Sequence, residues 1–570
     1  MKMPYLGRID LHWCFKCNVP VLAKSCGACG ETTKKVQITP PGDVRPAFPK
    51  DIKAINKTVV AQFGLPLIAD DRIVLLNSVP GFDRFDEVIM DGVVVGAFRY
   101  DVERLCLEFM PSIEGAARIW EKGARSFVSV AEDAAGYIMK GASVLMPGVV
   151  EFDKELQAGQ EALVVCGDSV IAVGRTRFSG EVALQSKKGM FVKVRKYQKE
   201  EGGLDIPSGG QDWGLVIESN RKVLERYEKE ALAFIKKTLN SQKLPVLVSF
   251  SGGKDSMATL LLVRKVVEPK VLFIDTGMEF PETLEYVEEI AQLLDLELIT
   301  AVAEDRFWRG IEVFGMSGRD YRWCCKVCKL GPVAKVIHER FPDGILNFIG
   351  QRRYESKVRA KSGRIWTNSW LPNQLSASPI QNWTALHVWL YLMLEGAPVN
   401  PLYRLGLERI GCWVCPSSSL AELELVKETH PHLWRRLEES LPALGFTDNE
   451  VKYGFWRWRN LPKGQKELRD RLKVRRRQRK RLRERPIKDQ KRAENLASSM
   501  SIAVTEDIIA RSAFCLGCGV CLAHCKHKAI EFYQGKVWIN SNCRGCRKCH
   551  LRCPIVKYLY EDNIINNHDS

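Results

Sequence analysis

The spacing of apolar positions changes several times along this chain. Between 71 and 101, DRIVLLNSVPGFDRFDEVIMDGVVVGAFRYD sets short apolar runs between Gly and Asp turns, which predicts strands. Residues 45–135 as a whole are mixed and carry no catalytic constellation. Three later runs, VLMPGVVEF (144–152), ALVVCGDSVIAVGRT (162–176) and MFVKVRKY (190–197), are β-rich and punctuated by Gly, which predicts a small closed barrel. EEGGLDIPSGGQDWG (200–214) is a linker by composition. A charged helical pattern then leads into LPVLVSF, an apolar run of strand type, followed by SGGKDS and the amphipathic MATLLLVRKV. The longest apolar run, Ala385–Leu394, is broken by His387 and falls short of the ~18 residues of a membrane span. The N-terminus MKMPYLGRIDLHWC has no apolar h-region, so neither membrane contact nor secretion is expected, and a cytoplasmic location is.

Strand, Gly-rich turn and helix in succession form a phosphate cradle. Gly252 and Gly253 let the backbone approach an anion. The amides of Lys254–Ser256 open the helix toward it, Lys254 adds charge and Ser256 a hydroxyl. The spacing is not that of a Walker A loop, which needs four residues between Gly and Gly-Lys. SGGKDS is instead identified as the PP-loop of ATP pyrophosphatases, which cleave between the α and β phosphates. Downstream, DTGMEFPET (275–283), GQRRYESKVR (350–359), PIQNWTALHVWLYL (379–392), NPLY (400–403) and RIGCWVCP (409–416) resemble the phosphoadenosine phosphosulfate (PAPS) reductase family over about 220–435. The resemblance implies a doubly wound α/β core of adenine nucleotide alpha hydrolase type, with the nucleotide at the strands' C-terminal ends. It implies that Ser251, Gly252, Gly253, Lys254, Asp255 and Ser256 hold the phosphates of ATP or another adenine nucleotide with Mg. Asp275, Thr276 and Gly277 would lie near the nucleoside, and Arg352 and Arg353 would clamp a sulfate or phosphate group.

Nineteen cysteines in an intracellular chain read as metal ligands or reactive thiols before disulfides. CFKC and CGAC, eight residues apart, suit a tetrahedral zinc ribbon on Cys14, Cys17, Cys26 and Cys29. YRWCCKVCKLGPV and GCWVCP offer Cys324, Cys325, Cys412 and Cys415, four soft thiolates that suit [4Fe–4S] or zinc. They resemble the cluster strings of adenylylsulfate-type reductases, except that Cys328 stands where those have arginine. Cys328 is then an odd thiol, a replacement ligand or a sulfur acceptor. Residues 515–553 carry Cys-x2-Cys-x2-Cys-x3-Cys twice, the two-cluster bacterial ferredoxin pattern, whose fourth cysteine crosses over. Cys515, Cys518, Cys521 and Cys553 would hold one [4Fe–4S] cluster, and Cys543, Cys546, Cys549 and Cys525 the other.

Composition adds two points. At 570 residues, about four domains of ~150 residues are expected. The formal net charge is +17, but residues 463–492 alone contribute 16 Lys and Arg against 4 Asp and Glu. That run, RLKVRRRQRKRLRER at its heart, would attract a polyanion or serve as a solvated linker. LMPGVV, VIAVGRTRFSGE and KKGMFVKVRKY resemble the RNA-binding PUA domain, which places RNA contacts near Gly148, Arg175 and the Lys187–Gly189 turn. The expected organisation is a zinc ribbon (1–44), a mixed domain (45–135), a PUA-like barrel (136–199), the PP-loop domain (215–460), a basic linker (461–500) and an α+β ferredoxin domain (501–562).

Three functions compete. ATP-dependent sulfur transfer to RNA, above all tRNA, accounts for the intact SGGKDS, the PUA-like strings and the basic run, with the ferredoxin domain passing on electrons from a donor. Reduction of PAPS or adenylylsulfate to sulfite accounts for the family strings and cysteine pairs. The chain lacks the C-terminal Glu-Cys-Gly-Leu/Ile-His string of thioredoxin-dependent reductases, and its intact phosphate loop suits ATP itself. A non-catalytic RNA-binding redox sensor is the third reading, against which the intact loop and twin arginines stand. Lys254, Asp255, Arg352, Arg353 and Cys328 are the residues expected to carry catalysis.

Overall fold

A computed structural model describes residues 6–199, 207, 211–475, 514–533 and 535–561. The N-terminal ribbon is a three-stranded antiparallel sheet of β1 (His12–Cys14), β2 (Val19–Val21) and β3 (Lys34–Lys35). It is too small to enclose a core. Trp13, Val19 and Val21 instead pack against Val216 and Leu224 of the long helix Trp213–Ser241 and against Leu386 and Leu390 of the helix Ala385–Leu394.

The mixed region forms a meander of β4 (Val44–Pro46), β5 (Val74–Ser78), β6 (Phe85–Met90), β7 (Val93–Asp101) and β8 (Cys106–Pro111), paired in chain order. Asp91 and Gly92, both at positive φ, make the two-residue turn between β6 and β7 that such hairpins favour. The helices Pro49–Phe63 and Ile113–Trp120 share its core.

The next sheet contains β9 (Phe127–Val130), β10 (Val144–Leu145), β11 (Val149–Phe152), β12 (Glu161–Cys166), β13 (Ser169–Thr176) and β14 (Met190–Tyr197), in the order β10-β14-β13-β12-β9-β11. It begins at 127 rather than 136, because the four-residue β9 is too short to announce itself by alternation yet pairs in parallel with β12. Leu163, Val165 and Val173 join the core of the meander, so the two sheets are packed together.

The largest domain is the expected doubly wound α/β unit. Its strands are β15 (Val246–Ser249), β16 (Lys270–Asp275), β17 (Leu298–Val302), β18 (Ile345–Ile349), β19 (Ile365–Asn368) and β20 (Leu371–Ala377). The order β17-β16-β15-β18-β20-β19 is parallel except at the β19 edge. The chain winds outward from β15 to β17, then returns to β18 on the other side. That reversal opens a crevice at the C-terminal ends of β15 and β18, where ligands of this architecture bind.

The C-terminal domain is a hairpin of β21 (Ile530–Tyr533) and β22 (Lys536–Ile539) flanked by cysteine-rich turns. It docks on the α/β domain through a shared core in which Leu516 and Ile555 meet Trp323, Val327 and Phe314. Arg306 donates to the carbonyl of Leu516 (3.3 Å), and the Tyr321 hydroxyl to that of Tyr558 (3.1 Å). At Gly331, the start of the helix Gly331–Arg340, a Cβ would sit 2.3 Å from the Cys518 carbonyl oxygen. Among the described residues no helix is long and apolar enough to cross a membrane. The basic run beyond residue 475, and most of the 200–210 linker, lie outside the described residues.

Because Gly331 touches backbone, an added methyl cannot be absorbed by a rotamer change. Gly331→Ala is expected to separate the C-terminal domain from its helix. Amide hydrogen exchange at the start of Gly331–Arg340 should rise several-fold, with the β15–β18 amides unchanged.

Candidate nucleotide and thiol centre

The SGGKDS loop leaves β15 and enters the helix Lys254–Arg264. Gly252 sits at φ +72, a conformation that costs a side chain strain. The Ser256 hydroxyl donates to the Gly253 carbonyl (2.8 Å) and accepts the Ser251 amide (3.2 Å), closing the turn. The Tyr403 hydroxyl accepts the amide N–H of Lys254 (2.9 Å). From β18 the GQRR loop lies across the same helix start: a Cβ on Gly350 would be 2.5 Å from the Asp255 backbone. The phosphate loop and the arginine loop thus flank the crevice between β15 and β18.

Four buried or part-buried charges run through it. Lys254 Nζ contacts Asp255 (2.7 Å), whose other oxygen takes Arg352 Nε (2.6 Å). The two terminal nitrogens of Arg352 pair with both oxygens of Asp43 (2.7 and 2.9 Å), and Asp43 also accepts the Ala385 amide (2.6 Å). Burial raises the Asp255 carboxyl, but Arg352 and Lys254 outweigh it and hold it below the usual carboxylate range. Arg352 is 3% exposed. It therefore stands as the hinge of an ion-pair chain that holds the loop lysine, and only through it could it bear on a bound anion.

Arg353 does not join Arg352. Extended backbone at Arg352 (φ −120, ψ 146) turns successive side chains to opposite sides. Arg353 reaches the Leu6 carbonyl (2.6 Å) and Asn382 (3.5 Å), in a separate cavity against the ribbon. The expected twin-arginine clamp is thus divided between two places.

Asp275, Thr276 and Gly277 end β16 at the crevice, Asp275 accepting the Gly277 amide (2.8 Å). Thr276 brings the thiols in: its hydroxyl lies 3.4 Å from Cys412 Sγ, and Glu279 lies 3.7 Å from the same sulfur. Cys324 lies within electrostatic reach of Cys325 and Cys412, and Cys412 of Cys415. Cys324 and Cys325 share a contact that pushes the first thiol up and the second down, with Arg322, 3.1 Å away, and Lys329 favouring charge on Cys325. Burial pushes Cys412 up to about 12. Cys328 is 2% exposed and its thiol is pushed up by burial and by Cys412, Cys325 and Cys518. A thiol so enclosed is not presented to a macromolecule; it stands between the central set and the C-terminal domain.

Of the cysteine sets, Cys14, Cys17, Cys26 and Cys29 have all sulfurs within 4.8 Å of one another, as one tetrahedral ion requires. Among the described residues no other set is so tight. Cys515, Cys518, Cys521 and Cys553 line one cavity, and Cys525, Cys543, Cys546 and Cys549 line a second. Each cavity is thus walled by four soft donors, a set suited to metal.

In the sheet of β9–β14, Gly148 closes the turn Met146–Gly148, and the Gly189 carbonyl accepts the Met146 amide (2.9 Å). The Lys187–Gly189 turn is exposed beside it. Arg175 lies elsewhere: it grips Glu108 with two bonds (2.8 and 2.9 Å) and pairs with Glu161. It ties this sheet to the meander and is not a free contact for RNA. Sequence reasoning missed Asp43 and Tyr403. NPLY carried Tyr403 in plain sight, but nothing marks Asp43, which meets Arg352 across 309 positions.

Removing Asp43 leaves Arg352 buried with half its partners. Asp43→Ala is expected to cost about 3 kcal/mol in urea unfolding and to weaken adenine-nucleotide binding. Since Asp255 is held low, the stability of this chain is present at neutral pH and is lost as pH falls below the usual carboxylate range, about 4. Asp255→Asn, which removes the titrating carboxyl, should flatten that acid limb in urea unfolding followed against pH. Cys26→Ser should abolish bound zinc and leave iron unchanged, read by elemental analysis of protein purified without air.

A family model described as the phosphoadenosine phosphosulfate reductase domain matches residues 245–418, and one for the PUA domain matches 127–197. The uncharacterized protein MJ0066 of Methanocaldococcus jannaschii is 38% identical over 469 residues, covering 80% of this chain and 98% of its own. The sulfate adenylyltransferase subunit 2 of Citrifermentans bemidjiense is 30% identical over 232 residues, 35% of this chain and 75% of its own. Phosphoadenylyl-sulfate reductase from Candida auris, solved as a phosphate complex, is 18% identical over 34% of this chain and 96% of its own, with a TM-score of 0.26. With both family models in place, and the sulfate adenylyltransferase subunit 30% identical over 75% of its own length, the chain belongs to the phosphoadenosine phosphosulfate reductase family in a multidomain form that includes a PUA domain.

Proposed function

We propose that this protein is an ATP-dependent RNA-modifying enzyme that transfers sulfur to a nucleobase, with its C-terminal domain supplying electrons. The observation that carries the reading is the contact between Thr276, at the nucleotide crevice, and Cys412, the near edge of a thiol series that continues through Cys328 to Cys518. Sulfur chemistry and nucleotide chemistry meet at one place. The intact phosphate loop supports ATP as substrate, as does the resemblance to a sulfate adenylyltransferase subunit. The PUA domain, with its exposed Lys187 and Lys188, supports RNA.

In this reading the amides of the SGGKDS loop and Lys254 bind the phosphates, with Mg neutralising charge. A base carbonyl oxygen attacks the α-phosphorus, pyrophosphate leaves, and the carbon acquires an adenylate leaving group. Hydrosulfide, or the terminal sulfur of a persulfide, attacks that carbon and AMP departs. With hydrosulfide no electrons are needed; with a persulfide, two electrons and a proton cleave the sulfur–sulfur bond left behind. Cys515, Cys518, Cys521 and Cys553, with Cys525, Cys543, Cys546 and Cys549, would hold two [4Fe–4S] clusters, and Cys324, Cys325, Cys412 and Cys415 a third. Such clusters carry electrons singly. Cys14, Cys17, Cys26 and Cys29 would hold zinc for structure. Cys328, being closed off, packs between the sets and is not the acceptor of sulfur from solution.

A second reading, reduction of PAPS or adenylylsulfate to sulfite, is favoured by the same thiol series, because electrons could reach the crevice without RNA. Anaerobic protein given ATP, hydrosulfide and bulk tRNA is expected to form AMP only when RNA is present. Lys254→Ala should abolish this while keeping its iron. Sulfite from PAPS or adenylylsulfate with reduced viologen, with no RNA requirement, would overturn the first reading in favour of the second.

A further inference from the structure

We propose that the cavity between the N-terminal ribbon, the helix Trp213–Ser241 and the loop bearing Arg353 is a second anion site, taking a small phosphate- or sulfate-bearing molecule. The cavity measures about 270 Å³, room for an oxyanion group and several waters. It lies apart from the SGGKDS loop, and the inference does not depend on the reaction proposed above.

The floor is His387, 3% exposed. Its Nδ1 lies 2.7 Å from the Thr384 hydroxyl, which already accepts the His387 amide at 3.4 Å. The hydroxyl hydrogen is thus free to point at Nδ1, which leaves the ring proton on Nε2. Among the described residues that Nε2 has no hydrogen-bond partner. Burial, with Arg226 and Arg352 nearby, lowers the imidazole to about 3, so the ring is neutral and offers a donor. That nitrogen is itself shut off from solvent, so the ring closes the floor without supplying the contact.

The charge comes from the walls. Arg8, Arg226 and Arg353 line the cavity against a single carboxylate, Asp10, which Arg8 pairs at 2.7 Å. Guanidinium groups donate and never accept, and their planar fork suits phosphate and sulfate oxygens. The Tyr227 ring lies tilted against His387, centroids 4.2 Å apart, and the Arg226 guanidinium sits 5.3 Å from the Tyr227 ring. Three guanidinium groups face one carboxylate here, so an acceptor-rich anion is the complement. Gly42 and Val44 line the same cavity, and Asp43 between them holds Arg352. An occupant would therefore lie beside the ion-pair chain that ends at Lys254.

The test is residue-resolved arginine modification of the full-length protein by phenylglyoxal, read by mass spectrometry, with inorganic phosphate, sulfate or chloride at equal ionic strength. Phosphate or sulfate should slow modification of Arg8 and Arg226 several-fold and chloride should not; the two arms show which oxyanion is preferred. The protection should survive in Lys254→Ala, which removes the nucleotide-loop cation. In Arg226→Ala, protection of Arg8 should be lost. Equal protection by chloride, no protection, its loss in Lys254→Ala, or its persistence at Arg8 in Arg226→Ala overturns the inference. A preserved footprint with no RNA-dependent AMP would overturn the reaction alone.

Discussion

A lysine beside a phosphate must be held ready without being neutralised for good. Here Lys254 contacts Asp255, but Asp255 is shared with Arg352, and Arg352 is itself pinned by Asp43. The alternation of charge makes burial tolerable for each member. It also means that the geometry of the phosphate loop depends on a residue from the N-terminal segment. The ribbon, seated on the helices Trp213–Ser241 and Ala385–Leu394, sets where Asp43 stands. What looks like an appended module is part of the nucleotide crevice.

The same holds at the other end. The C-terminal domain shares a core with the α/β domain, and Leu516 and Ile555 are buried with Trp323 and Val327 beside the central cysteines. The packing brings Cys518 near Cys328, and Cys328 near Cys412. The electron transfer proposed for these cysteines would need closeness and a dry surround, and this apolar interface supplies both. The helix start at Gly331, bare of a side chain, is what lets the two backbones approach.

How much of this could be read from residues alone depended on the range of the signal. The phosphate loop, the α/β order and the cysteine sets are local patterns: SGGKDS, CFKC, CLGCGVC and CRGCRKC each sit within a few residues. The division of Cys553 and Cys525 between two cavities follows from a spacing rule. Arg352 and Arg353 are adjacent in sequence, which suggests one role, but strand-like backbone sends neighbours to opposite sides. Arg175 fitted a basic-contact pattern, yet its partners Glu108 and Glu161 come from other strands and leave no trace in local sequence. Asp43 and His387 gain their meaning only when the ribbon closes on the α/β domain.

The crossed allocation of the last eight cysteines bears on how the chain is made. Neither cavity of the C-terminal domain is walled by one contiguous stretch: Cys553 completes the first, and Cys543, Cys546 and Cys549 must join Cys525 for the second. A nascent chain halted on the ribosome before residue 543 would display Cys515, Cys518, Cys521 and Cys525 as loose thiols, open to oxidation or to the wrong ion. Synthesis interrupted before Cys549 leaves neither four-cysteine set complete, and the first set to begin is the last to be finished, at Cys553.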